Sequence, residues 1–161
     1  MFATRADLLA RCSALRLAQL AVPTDHAFPG DEQLLREAIV GADISDHPAS
    51  EQEAVTLALE AIDKALADAD ALLISYGIPP EVQTAILARF SSTVAYYYLQ
   101  GAERMTKDAQ DAYDAVLKLL DRYAKGQLPG LVPDEDGMPG GMATVVSGPP
   151  RYARRYCEGE E

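Results

Sequence analysis

The sequence predicts an all-α fold: a helical bundle around one long antiparallel helix pair, followed by an extended C-terminal arm that can hold one short strand. Three observations carry this. Apolar residues recur at alternating spacings of four and three from Val55 to Tyr76, which is a single stripe along a helix. A second apolar stripe, Val82, Ile86, Phe90, Val94 and Tyr97, follows after only Gly77-Ile78-Pro79-Pro80, so the two helices must fold back on each other. Beyond Gln127 prolines and glycines crowd the chain too densely for a packed helix.

Each element has local punctuation. Met1-Phe2-Ala3 reads as an apolar lead-in, and Thr4 as an N-cap with Asp7 three residues on. Leu8, Leu9 and Cys12 follow on a short helix; Ser13 starts another that carries Leu15, Leu17 and Leu20 and stops at Pro23. Pro23 to Gly30 is a breaker-rich loop, after which Asp31 can cap a helix bearing Leu34, Leu35, Ala38 and Ile39, ended by Gly41. Ser50-Glu51-Gln52-Glu53 has the form of a capping box opening the long helix. Glu51, Glu60, Asp63, Lys64, Asp68 and Asp70 fall off its apolar stripe and are expected in solvent. Gly77 closes it, and Pro80 suits the first turn of its partner. Thr106 caps a last helix with Ala109, Tyr113, Val116, Leu117, Leu120 and Tyr123 on one face. Gly126 is its stop, and Asp108 and Lys125 suit its dipole. The division is therefore a helical domain over 1–126 and an arm over 127–161.

Composition bounds the function. A chain of 161 residues can bury a real core without metal or disulfide. A formal net charge of −11 argues against nonspecific adhesion of the body to DNA or an anionic membrane. Cys12 and Cys157 lie far apart with no CxxC or Cys/His cluster, and read as two free thiols of a reducing compartment. No apolar run approaches the ~20 residues of a membrane span, and the opening does not have the charged-then-apolar form of a signal peptide.

Candidate chemistry is thin. Asp25-His26 and Asp46-His47, with Asp43, sit in loops without metal-ligand spacing. Asp134-Glu135-Asp136-Gly137 begins like a calcium loop, but its twelfth position falls on Val145, so a turn is expected. No phosphate-binding glycine loop or nucleophile motif occurs. The expectation is no enzyme, no cofactor and no metal.

Two clusters point instead to contact. Tyr96-Tyr97-Tyr98 are successive helical residues some 100° apart and cannot share a face. Tyr97 is expected in the core, leaving Tyr96 and Tyr98 as candidates for a subunit interface. In the arm, Val145, Val146, Pro149, Pro150, Arg151, Tyr152, Arg154, Arg155 and Tyr156 form a docking candidate. Arg and Tyr are frequent interface anchors, and Val145-Val146 can add a strand to a partner's sheet edge. The same basic residues leave open a helical regulatory or DNA-associated module.

The order of these features resembles the small neck proteins of Mu-like phages. Met1-Phe2-Ala3-Thr4-Arg5-Ala6-Asp7-Leu8 is similar to that family's aromatic-Ala-Thr-x-x-Asp-Leu opening, and Ala58 to Asp70 to its Ala/Asp-rich central helix. Pro79-Pro80 followed by Val94-Ala95-Tyr96-Tyr97-Tyr98-Leu99 resembles its proline-led helix with an aromatic end. Tyr113 to Gly126 resembles its Tyr-x-x-Ala-x-x-x-Leu helix, and Val146 to Arg154 its closing Pro-Pro-Arg arm. Residues 31–49 look inserted, and Ile74-Ser75-Tyr76-Gly77 replaces an expected Arg-Tyr pair. The resemblance implies a virion protein assembled in the host cytoplasm: a head–tail adaptor at the neck. Its implied partners are the portal protein, neighbouring copies in a dodecameric ring, a downstream neck or tail-completion protein, and genomic DNA passing through the channel without specific binding.

Overall fold

The computed structural model describes residues 1–23, 32–102, 104–128 and Leu131. Among these the fold is all-α, with six helices and no strand: α1 (Arg5–Leu9), α2 (Ala14–Ala21), α3 (Glu32–Ile39), α4 (Ala49–Ser75), α5 (Ala85–Gln100) and α6 (Lys107–Ala124). The readings placed on Asp25, His26, the Asp31 cap, the Asp134–Gly137 turn, Cys157 and the arm from Val145 to Tyr156 lie outside the described residues.

The α4–α5 pair is the spine. α4 runs 27 residues, about 40 Å. Val55, Ile62, Leu66, Ala69 and Leu73 of its stripe are buried, and Leu59 and Tyr76 pack partly against the same core. Each fully buried Leu or Ile contributes about 2 kcal/mol of transfer free energy. Ala54, Ala58 and Ala65 are buried too, so the apolar surface of α4 is wider than one stripe. The reason is its set of neighbours: α5 on one side, with α2 and α3 on others. α6 packs on α5, and α1 crosses to α5 as well.

The caps at Thr4, Ser13 and Thr106 form as their sequence contexts predict. Thr4 and Asp7 make a reciprocal capping box, and the hydroxyls of Ser13 and Thr106 accept from the N–H of Arg16 and Ala109. Gly41, Gly77 and Gly126 close α3, α4 and α6 with positive φ of 78°, 83° and 69°.

Two helix starts differ from expectation. α4 begins at Ala49 with Pro48 as N-cap, and no side-chain cap bond forms, so Ser50 and Glu53 make no capping box. Pro48 already has an extended backbone that ends in a helix start, with the N–H groups of Glu51 and Gln52 donating to its carbonyl. The preceding loop is held from within the helix instead. The Gln52 amide donates to the carbonyls of Ser45 (3.2 Å) and His47 (2.7 Å), and His47 Nδ1 lies 3.5 Å from Glu51. α5 begins at Ala85, not near Pro80, because Thr84 offers the better cap, its hydroxyl accepting from the N–H of Leu87. Pro79 to Val82 is a turn.

On α5, Phe90 and Val94 are buried as expected, but the first turn departs from the stripe. Leu87 is fully buried, while Ile86, expected inside, is 50% exposed. Ser91 and Ser92 are buried as well. Leu15 of α2 likewise faces out.

Candidate assembly surface

The N-terminal lead-in is fastened to the spine by polar groups. Asp70, expected in solvent, is buried at the α4–α5 seam. Its carboxylate accepts from the backbone N–H of Phe2 (3.0 Å) and from the Ser91 hydroxyl (2.8 Å), and the α-amino group of Met1 stands 3.7 Å away. A buried carboxylate is tolerable only with such partners. At the first residue of α1, the Arg5 guanidinium grips Asp63 of α4 with two bonds of 2.7 and 2.6 Å. That hydrogen-bonded grip holds the Asp63 carboxyl below its ordinary range, against a smaller opposing effect of burial. Sequence periodicity missed Asp70 because it registers apolar residues only; the signal available was Asp70 sitting four residues after Leu66 and three before Leu73.

The tyrosine triplet divides as geometry requires, but not as assigned. Tyr97 does not enter the core. It stacks on Tyr113 of α6 with ring centroids 3.9 Å apart and planes 7° from parallel. Tyr98 leans on both rings, at 6.0 and 6.1 Å, and remains 37% exposed. Burial, then its hydrogen bond with Tyr113, pushes the Tyr98 phenol up to about 12. Tyr96 is the member that packs partly against the core. Its ring also lines a recess with Arg11, Thr93, Thr106 and Asp108. Tyr96 and Tyr98 therefore lie on two separate faces, and Tyr98 is the more exposed of the two.

The recess at Tyr96 shares Arg11, Thr93 and Ala112 with a groove between α5 and α6. This groove, about 420 Å³, has Phe90, Val116 and Leu119 along its floor and Ile86, Ala112 and Ala115 on its walls. Arg11 and Arg89 stand at its rim, and Arg11 reaches Ser92 at 3.3 Å. Burial and the neighbouring Arg89 both lower the Arg11 pKa. Neither arginine has a carboxylate within ion-pairing distance among the described residues.

At the α5–α6 corner Gln100 is buried. Its Oε1 accepts from the N–H of Thr106 at 2.9 Å, and its Nε2 finds no partner among the described residues. Arg104, just beyond, donates to the carbonyl of Gln19 and ties this corner back to α2. Cys12 is half-buried, which raises its thiol pKa. Among the described residues no cluster of three or more metal-ligating side chains occurs, and no helix is long and apolar enough to cross a membrane. His47 and Asp43 fall into separate tasks, His47 beside Glu51 and Asp43 accepting from the N–H of Ser45 at 2.9 Å.

The class that the fold defines is an all-α bundle with an open groove between α5 and α6 and a stacked tyrosine cluster beside it. The chain belongs to the Bacteriophage Mu Gp36 family, whose model matches residues 2–144. It is thus a Mu-like phage protein, and membership points to a structural component of the virion. The match runs through residues 31–49 and ends just before Val145, so the closing Pro-Pro-Arg motif lies beyond it. No curated protein and no solved structure matches the chain.

Proposed function

We propose that this protein is a head–tail adaptor of a Mu-like phage, a structural, non-catalytic part of the neck that assembles as a dodecameric ring beneath the portal. The observation that carries the reading is family membership over residues 2–144. The fold supports it. A closed ring of head-to-tail copies needs a stiff subunit with two unlike faces. Here α3 packs on the α4 side of the spine and α6 on the α5 side, so the two flanks present different surfaces. The charge of −11 suits a channel through which DNA slides without sticking.

In this reading the arm from Val145 to Tyr156 straps the ring to the portal or to an adjacent copy, and Tyr98 faces a neighbour. A downstream neck or tail-completion protein meets the opposite side. The test is complementation of phage lacking this gene product by a chain truncated after Gln127, with electron microscopy of the particles. Filled heads without tails are expected. Normal tailed particles would remove the arm's role, and tailed particles from phage lacking the protein altogether would remove the adaptor reading. Salt-sensitive binding of the purified protein to duplex DNA would favour a DNA-associated module instead.

A further inference from the structure

Two features at different places on the bundle are complementary. One is the α5–α6 groove, apolar along its floor and carrying Arg11 and Arg89 at its rim, in a chain with 25 acidic and 14 basic residues. The other is the corner after α3. There Val40 is 76% exposed, more than any other large hydrophobic side chain among the described residues. Glu37 precedes it on α3, where the neighbouring Arg36 is paired with Glu32 at 3.9 Å, and Asp43 and Asp46 follow it in the loop. The Ser45 N–H holds the Asp43 carboxyl below its ordinary range, so this corner stays anionic. The loop is also stiff where it matters, since Gln52 bonds its backbone twice.

We infer that the α3 corner of one copy docks in the α5–α6 groove of the next, Val40 entering beside Ile86 and Ala115 while Glu37 and Asp43 face Arg89 and Arg11. This rests on the ring reading and names its subunit contact. An isolated valine in water and a groove lined by Ile86, Phe90 and Leu119 both gain by burial. Asp7 and Asp108 lie near Arg11, but Arg89 and Arg11 have no ion-pair partner among the described residues, so the rim favours an acidic partner and sets direction. Ala112 and Ala115 on the α6 wall leave room for close approach. Because α3 and α6 flank different sides of the spine, the contact is heterologous: a joined pair keeps a free groove on one copy and a free corner on the other, so the contact can repeat until a ring closes.

The test is cross-linking of the full chain carrying Val40→Cys and Ala115→Cys, with Cys12→Ser and Cys157→Ser. Both new positions are exposed, and circular dichroism verifies folding. Mild oxidation at high concentration is expected to give a ladder of covalent multimers. Adding Arg89→Glu should cut its yield about tenfold. In a second arm without introduced cysteines, Arg89→Glu and Asp43→Lys chains each stay monomeric but form a one-to-one heterodimer when mixed, since each keeps one sound face. No ladder, an equal ladder with Glu60→Cys replacing Val40→Cys, or symmetric dimers from Val40→Cys alone would each overturn the contact. A ladder from a chain absent from purified particles would keep the contact and remove the neck reading. Particles in which copies cross-link only through other faces would do the reverse.

Discussion

The two flanks of the spine are held in different ways. On the N-terminal side, the lead-in and α1 are fixed by long-range polar bonds: Asp70 to Phe2 and Ser91, and Arg5 to Asp63. Apolar contacts of α2 and α3 with α4 reinforce them. On the C-terminal side, α6 leans mainly on α5. It is held by Val116 and Leu120 in the core, by the Tyr97–Tyr113 stack, and by its own cap at Thr106. Directional bonds fix register along the N-terminal flank, whereas α6 packs chiefly on α5, is tied back at its start by Gln100 and Arg104, and leaves an open groove beside it. The lesson is that one bundle combines a flank fixed by long-range bonds with one that keeps an open groove.

The sharpest way to break this comparison is Leu120→Ala. Leu120 is fully buried, and its loss should cost about 3–4 kcal/mol in chemical denaturation. Hydrogen exchange should show α6 amides losing protection before those of α4. Equal loss in both helices would mean that the flanks are not separable.

Asp70→Ala should cost about 2 kcal/mol, because the Phe2 N–H and the Ser91 hydroxyl lose their acceptor in a buried seam. Asp70→Asn keeps one acceptor oxygen and should cost less. If the two variants unfold alike, the latch depends on charge and not on these bonds. Thr106→Ala removes a cap from α6 and should cost about 1 kcal/mol.

The smallest effects come from pH. Because Asp63 is depressed in the folded state, its contribution is present above the ordinary carboxylate value of about 4 and is lost as pH falls through the folded value. Its side chain is 45% exposed, so solvent screening holds the effect below about 1 kcal/mol. Acid melts of Asp63→Asn and the natural chain should converge below that window. Tyr98 has the opposite sign. Its raised value favours the neutral phenol, so stabilisation holds below about 10 and fades as pH climbs toward about 12. Tyr76 is also raised, by burial and by Asp121, so ultraviolet titration should show late tyrosines of which Tyr98→Phe removes the latest.

Much of this was legible in the residues. Thr4, Ser13 and Thr106 cap as short-range chemistry dictates, and Gly41, Gly77 and Gly126 stop helices because a positive φ suits glycine. Ile62, Leu66 and Leu73 were readable from period alone. Ile86 was misplaced because period marks it with Phe90 and Val94, while the open α5–α6 groove leaves it at the surface and Leu87 packs inside. Ser50 lost to Pro48 for a related reason: several residues met the local requirement, and the docked loop chose among them.

Local chemistry thus determined where helices run, where they end and that a long pair forms the spine, since caps, glycines and periodicity act within a few residues. Tertiary structure alone decided that an aspartate on the long helix would be buried beneath the chain's first residues. It also decided that two arginines 78 positions apart would share one groove. Those outcomes depend on which faces of different helices meet, and that is settled only when distant segments pack together and exclude water.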